Sequence, residues 1–325
     1  MKSLHRRAGL LQIVACSLAA TALSACGGPF GAVSAPSSTL FAAPWNSGVD
    51  AAEPPFQTQE IDPNTFVIRQ SIRTSLEAPF VYLLFGDDRV LLIDTGDKGA
   101  DLRTEVDRLI QNRRAIDGRK SLPLVVMHSH SHGDHTAGDA RFVERPDTTV
   151  VGHSVEDVAA FFGMENWPDQ EAVFDLGGRV VEILPTPGHH DTHVMVFDRR
   201  TRILFSGDAV YPGILRFQCA KAPEYLASIE RAMEFARIHD VRWLLGGHVE
   251  MQASSGRYFA SGERVRRNEH LLEVSPSILA DIQAALAPMV AKPVVQPHEE
   301  FLLFPHPADP RGLQPPNWCQ PDSDG

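Results

Sequence analysis

The chain is short of positive charge: 30 Lys and Arg stand against 41 Asp and Glu, a formal charge of −11 over 325 residues. An acidic balance argues against nucleic acid, whose phosphates call for basic patches. Cysteine is scarce, at four residues. Two of these, Cys16 and Cys26, fall in the N-terminal stretch, leaving Cys219 and Cys319 either as one disulfide or as two free buried thiols. No fixed short repeat is visible. The one sustained apolar run, residues 8–23, is too short and too rich in Ala and Ser to span a bilayer, which takes about 20 mainly apolar residues. With 43% hydrophobic residues the rest can bury a sizeable core, as one large domain or two small ones.

Lys2, Arg6 and Arg7 precede that apolar run, the order of an export signal over residues 1–25. Removing it takes the formal charge to −14, because residues 1–25 hold three Lys and Arg and no acid. Its end, Leu23-Ser24-Ala25-Cys26, resembles the lipobox of bacterial lipoproteins, which implies acylation at Cys26 and a lipid-anchored protein in the outer membrane facing the periplasm. An ordinary secretory signal with a free Cys26 is the alternative. Arg6-Arg7 also admits a twin-arginine route, though its flanks match poorly. Residues 26–55, rich in Gly, Ala, Ser and Pro, read as a flexible tether. A domain over 56–292 and a Pro-rich tail over 293–325 packed on it complete the division.

What the chain does have is histidine in one place. Four of its fourteen histidines and one aspartate fall within residues 128–135, His128-Ser129-His130-Ser131-His132-Gly133-Asp134-His135. Read as His-x-His-x-Asp-His, the segment offers imidazoles and a carboxylate at spacings that face two adjacent metal ions, with donors that suit Zn²⁺. A polar loop is the plain alternative, so the surroundings matter.

Apolar and β-branched runs at 65–72, 80–85 and 89–94 read as hairpin-linked strands. Leu102, Val106, Leu109 and Ile110 then recur at helical spacing. A further strand at 122–127 runs directly into the histidine cluster, where α/β folds place ligands. Later strands are expected at 149–151, 179–184, 193–197, 202–205 and 241–245, with helices near 155–162, 223–238 and 277–289. The alternation predicts two mixed sheets with helices outside. Three later strands each end on a metal-capable residue beside glycine: Thr186-Pro187-Gly188-His189, Ser206-Gly207-Asp208 and Gly246-Gly247-His248. Glycine there lets the backbone turn sharply and approach an ion.

Over roughly residues 65–250 these motifs resemble the metallo-β-lactamase superfamily. The resemblance implies an α/β fold, an αββα sandwich of two mixed sheets with outer helices and metals at one sheet edge. It implies that His130, His132 and His189 hold one ion, that Asp134, His135 and His248 hold a second, and that Asp208 bridges them. Asp94, in Leu92-Ile93-Asp94-Thr95-Gly96, matches a motif that supports the metal loops by hydrogen bonding. Two Zn²⁺ per chain are expected, with Fe or Mn as alternatives. Such a centre lowers the pKa of water to roughly 7, so hydroxide between the ions is the expected nucleophile, with Asp134 orienting it.

The expected substrate is a small molecule: a carboxylic ester, lactone or thioester. Tyr211, three residues after Asp208, resembles the tyrosine of the superfamily's lactonases, which implies a catalytic hydroxyl; an aromatic wall or core position is the alternative. Superfamily β-lactam hydrolases generally carry Cys or Ser where this chain has Asp208. Hydroxyacylglutathione hydrolases share all seven ligands, but an exported enzyme would rarely meet their cytoplasmic substrate, and their basic glutathione-holding residues have no evident counterpart here. Iron-dependent oxidoreductases of the superfamily and a non-catalytic metal-binding sensor are the other classes compatible with this ligand set. His128 reads as a support from outside the ligand set, or as solvated, in preference to a ligand of a third ion. His190 and His193 share that reading, and His270 either returns to the pocket or starts a helix.

Overall fold

A computed structural model describes residues 40–306 apart from Arg119 and Ser261. The export signal, Cys26 and Cys319 lie outside these residues. Two six-stranded sheets face each other. The first runs in the order β1 (Phe56–Asp62), β2 (Thr65–Gln70), β3 (Phe80–Phe85), β4 (Val90–Ile93), β5 (Leu124–Met127) and β6 (Thr148–Val150). The second contains β7 (Ala172–Asp175), β8 (Val180–Pro185), β9 (Val194–Asp198) and β10 (Ile203–Gly207). Beyond β10 it continues to β12 (Trp243–Gly246) and β13 (Glu273–Val274). A small third sheet joins β11 (Ile214–Gln218) to β14 (Gln296–Pro297) and β15 (Leu302–His306).

Strand alternation decides which core each side chain enters. Phe80, Tyr82 and Leu84 of β3 point between the sheets, with Val181, Ile183, Val194, Val196 and Phe205 of the second sheet. Val81, Leu83 and Phe85 point the other way, against Leu102, Val106, Leu109 and Ile110 of α1 (Leu102–Asp117). The outer face of the second sheet sends Met195, Phe197 and Leu204 against α5 (Ala222–His239) and α6 (Ile278–Leu286). Strands buried on both faces are apolar at every position, as β3 is. The result is the expected αββα sandwich.

Six strands, β1, β7, β11, β13, β14 and β15, fall outside the expected set, and three of these share one reason. The edge strand β1, FQTQEID, is polar at most positions and only partly buried, so it carries no apolar alternation. Edge strands β7 and β14 are similarly short and partly exposed.

Residues 40–55, expected within the tether, are packed on the domain. Phe41, Trp45 and Phe80 stack edge to face at 5.0 Å each, and Gln57 and Gln59 hold the segment through the Pro44 and Ala43 carbonyls. Two aromatic anchors outweigh the Ala and Pro composition that pointed to a spacer. The tail, as far as residue 306, is strand as well as coil: β15 pairs in parallel with β11. Cys219 is disulfide-bonded. No helix among the described residues is long and apolar enough to cross a membrane.

The sheet topology fixes one edge for the site. β4, β5 and β6 run parallel, and β8, β10 and β12 share one direction, since β9 is antiparallel to β8 and β10 while β12 is parallel to β10. The loops after β4, β5, β8, β10 and β12 carry the site residues.

Candidate metal centre

All seven expected ligands converge. His130, His132 and His189 form one group, and Asp134, His135, Asp208 and His248 another, with the ligand atoms of each group within 4.8 Å of one another. His132 Nδ1 faces His130 Nε2 at 2.9 Å and His189 Nε2 at 3.0 Å. In the second group His248 Nε2 lies 3.3 Å from His135 Nε2 and 3.2 Å from Asp134 Oδ2. Asp208 spans the two: Oδ1 is 3.4 Å from both His135 and His248 Nε2, while Oδ2 is 3.7 Å from His189 and 4.0 Å from His130 Nε2.

The far side of three of these imidazoles is tied down by a carbonyl or carboxylate, which makes Nδ1 the donor. His189 Nδ1 donates to the Arg216 carbonyl at 2.7 Å, and His248 Nδ1 to the Glu77 carbonyl at 2.9 Å. His135 Nδ1 donates to Asp94 Oδ2 at 2.8 Å. Each therefore turns its Nε2 toward the cluster. Asp94 does further work: its carboxylate accepts from the Ser129 backbone N–H at 2.7 Å and from Ser129 Oγ at 2.9 Å, clamping the histidine loop from a left-handed backbone position, φ 71°.

Close packing leaves no slack. A Cβ at Gly247 would sit 2.4 Å from Asp208 Oδ1 and 2.9 Å from His135 Cε1, so only glycine lets the β12 loop pass this near the centre. His193, wholly buried, accepts from the Asp208 and Ala209 N–H groups at 3.2 and 3.3 Å through Nε2, and its Nδ1 meets Thr186 Oγ1 at 2.8 Å. It holds the backbone of the Asp208 turn.

The electrostatics fit a cation. Burial pushes His130 well below the usual histidine range, and His189 down to about 4, so this group resists protonation. Burial acts the same way on His135 and His248, but Asp208 and Asp134 overcome it and draw positive charge to that group. Burial would raise Asp208, yet His248 and His135 hold it well below the carboxylate range. Its Oδ1 is buried with no hydrogen-bond partner. Converging lone pairs and an orphaned carboxylate oxygen are what divalent ions satisfy. The residues present fit two of them.

The family model described as the metallo-beta-lactamase superfamily matches residues 75–248. The chain belongs to that superfamily. It is a metal-dependent hydrolase, with a candidate binuclear centre of His and Asp. Among curated relatives, the chain is 27% identical over 245 residues to the acyl-coenzyme A thioesterase MBLAC2 of Gallus gallus, covering 62% of this chain and 84% of that one. It is 27% identical over 117 residues to the hydroxyacylglutathione hydrolase of Rhizobium meliloti, covering 32% of this chain and 45% of that protein. A metallo-beta-lactamase from Pontibacter korlensis aligns in structure at 17% identity and a TM-score of 0.47, covering 71% of this chain and 98% of that one.

Some expectations change. Tyr211 Oη is engaged: it lies 2.6 Å from the Ile214 carbonyl and 2.9 Å from Glu250 Oε2 and accepts from Arg216 Nη1 at 3.1 Å, with the residue 1% exposed. The hydroxyl expected to be catalytic from its spacing is joined to the Arg216–Glu250 ion pair, and its ring lies 5.6 Å from that of His248. His270 pairs with Glu300 at 3.5 Å, away from the centre. His190 stands over His132 with ring centroids 4.8 Å apart, and its Nδ1 meets Thr192. Glu77 and Arg216 act through backbone carbonyls, which no sequence signal marks. His193 could have been found, as the second histidine of the loop after His189.

Proposed function

We propose that this chain hydrolyses a small-molecule thioester at a binuclear centre held by His130, His132 and His189 on one side and Asp134, His135 and His248 on the other. The observation that carries the reading is Asp208, which offers one carboxylate oxygen to each group. The thioester is supported by the relatives named as acyl-coenzyme A thioesterase and hydroxyacylglutathione hydrolase. Zn²⁺ suits the imidazole and carboxylate donors and is the ion proposed.

Bound there, two divalent ions would supply charge that polarises the substrate carbonyl and acidifies water. The protein's own groups do the rest. Asp134 is partly exposed, and His135 and His248 outweigh its burial and hold its carboxylate ionised, so Oδ2 orients the attacking water by accepting its hydrogen bond. Asp94 keeps His135 in one tautomer and so keeps Nε2 facing inward. With the Tyr211 hydroxyl engaged, the leaving group departs without a proton from it. A thiolate, whose acid has a pKa of roughly 8.5, needs none, whereas an alkoxide does. This supports a thioester over a lactone or oxygen ester.

The test is thiol release from acyl-coenzyme A and acylglutathione thioesters, alongside oxygen esters, lactones and β-lactams, with Zn²⁺ restored to metal-free protein. Thioester turnover that disappears on chelation and in Asp208→Ala is expected. Turnover confined to oxygen esters or β-lactams, or unaffected by chelation, overturns the reading. One redox-active iron per chain after metal-free purification would replace it with oxidoreductase chemistry.

A further inference from the structure

The fold brings a second set of metal-capable groups together outside the centre just described. His128 begins the loop that leaves β5, Asp139 opens α3 (Asp139–Val143), and His153 sits between β6 and α4 (Val155–Phe162). His128 Nε2 lies 2.9 Å from Asp139 Oδ1, and His153 Nε2 lies 2.6 Å from Asp139 Oδ2. All three ligand atoms fall within 4.8 Å of one another. The set shares no residue with the binuclear centre.

We propose that His128, Asp139 and His153 form a third, mononuclear site for a divalent transition ion, open to solvent. Three arguments lead there. The donors are two imidazoles and one carboxylate, a set that holds Zn²⁺ or Fe²⁺ with a position left for water. Their separations from Asp139, 2.9 and 2.6 Å, are close to those in the main cluster, where facing nitrogens lie 2.9 to 3.3 Å apart. Metal bonds of roughly 2.0–2.2 Å put tetrahedral ligands roughly 3.4 Å apart, so small rotations suffice. The groups are also pre-positioned by contacts of their own: Thr95 Oγ1 donates to Asp139 Oδ1 at 2.6 Å, and Ser131 Oγ donates to the His153 carbonyl at 2.6 Å. The His153 side chain is 44% exposed, which gives an ion a path from solvent.

The same geometry sets the rank of the site. His135, His189 and His248 each have a carboxylate or carbonyl holding Nδ1, whereas His128 Nδ1 is buried with no partner. Such outer partners are worth about 10–100-fold in metal affinity. The third ion therefore binds more weakly than the pair and leaves first.

The experiment is Zn²⁺ titration of metal-free wild type, His153→Ala and Asp208→Ala, with bound metal counted by mass spectrometry after gel filtration and the melting temperature recorded. His153 is exposed, so its replacement leaves the fold intact. At saturation, wild type holds one ion more than His153→Ala, that ion binding about 10–100-fold more weakly than the tightest. The weak ion persists in Asp208→Ala, which damages only the binuclear centre, so a failed hydrolase reading and a failed third site give different results. Equal metal content in wild type and His153→Ala overturns the proposal, whether no extra ion binds or an adventitious surface ion survives the substitution.

Discussion

At Arg179 and Asp198 every donor meets an acceptor; at His130, His132 and His189 imidazole nitrogens face one another at 2.9 and 3.0 Å. Both clusters are buried polar groups between the same two sheets, yet they answer different needs. Arg179 spends all five N–H groups. Nε and Nη2 reach Asp198 at 3.0 and 2.7 Å, Nη2 also reaches Thr65 Oγ1 at 2.7 Å, and Nη1 reaches the Asn64 and Phe85 carbonyls. Asp198 takes further bonds from Thr201 Oγ1 at 2.6 Å and from its N–H at 3.1 Å. The pair is closed and cross-links the sheets from the first to the second. The histidine cluster is not closed in this way: the Nδ1 atoms of His135, His189 and His248 are spent outside it, their Nε2 atoms turn inward, and Asp208 Oδ1 is buried with no hydrogen-bond partner. A satisfied buried cluster holds the fold, whereas an unsatisfied one is built for something from outside.

Substitutions on either side should therefore separate stability from chemistry. The largest effect is expected for Asp208→Ala, which removes the one carboxylate shared by both ligand groups. Turnover should fall by at least about 100-fold, the scale of losing one preorganised electrostatic group, and metal content should fall with it while the chain stays folded. Full activity with both ions retained would erase the distinction.

Arg179→Ala is the converse case. Leaving Asp198 buried without its partner should cost about 3–5 kcal/mol by urea unfolding, with metal per folded chain unchanged. Replacing both partners by apolar residues of similar size should recover most of the loss.

Asp94→Asn lies between the two. It keeps the shape but weakens the hold on His135 Nδ1 and on Ser129, so metal affinity should drop by about 10–100-fold with little change in stability. A loss of stability as large as that of Arg179→Ala would place Asp94 with the closed cluster.

The smallest effects concern pH. Burial raises Asp198, but Arg179 and Thr201 outweigh it and hold its pKa below the carboxylate norm. Its contribution is therefore present above the unfolded carboxylate value and is lost as pH falls through the depressed folded value. The acid limb of the stability curve should flatten in Asp198→Asn. His270 has the opposite sign: burial lowers it, but Glu300 and the Leu271 carbonyl raise it overall. That contribution is complete below the unfolded histidine value and is lost as pH rises through the folded one. It should be slight, because Glu300 is 46% exposed and water screens the pair. Stability that rose in this upper window would contradict the assignment.

The comparison also separates what was legible. The seven residues of the centre could be read because each sits on a local signal, either the histidine run itself or a glycine-flanked turn at a strand's end. The central strands could be read because both their faces are apolar. The role of Tyr211 could not, since spacing from Asp208 places the ring but says nothing of Glu250, 39 residues further on. The packing of residues 40–55 was hidden behind a composition typical of spacers, because burial of Phe41 and Trp45 depends on a surface made by other strands.

By itself the sequence determined the donor types, their grouping along the chain and the two-sheet α/β pattern, since these follow from residue chemistry and periodicity within short windows. Tertiary structure alone decided which carbonyls fix His189 and His248, that Arg179 and Asp198 close on each other across the sheets, and that Asp139 draws His128 and His153 together. Those contacts join residues up to 171 positions apart, as His248 does with Glu77. Nothing in either local stretch carries the angle at which the two chain segments meet.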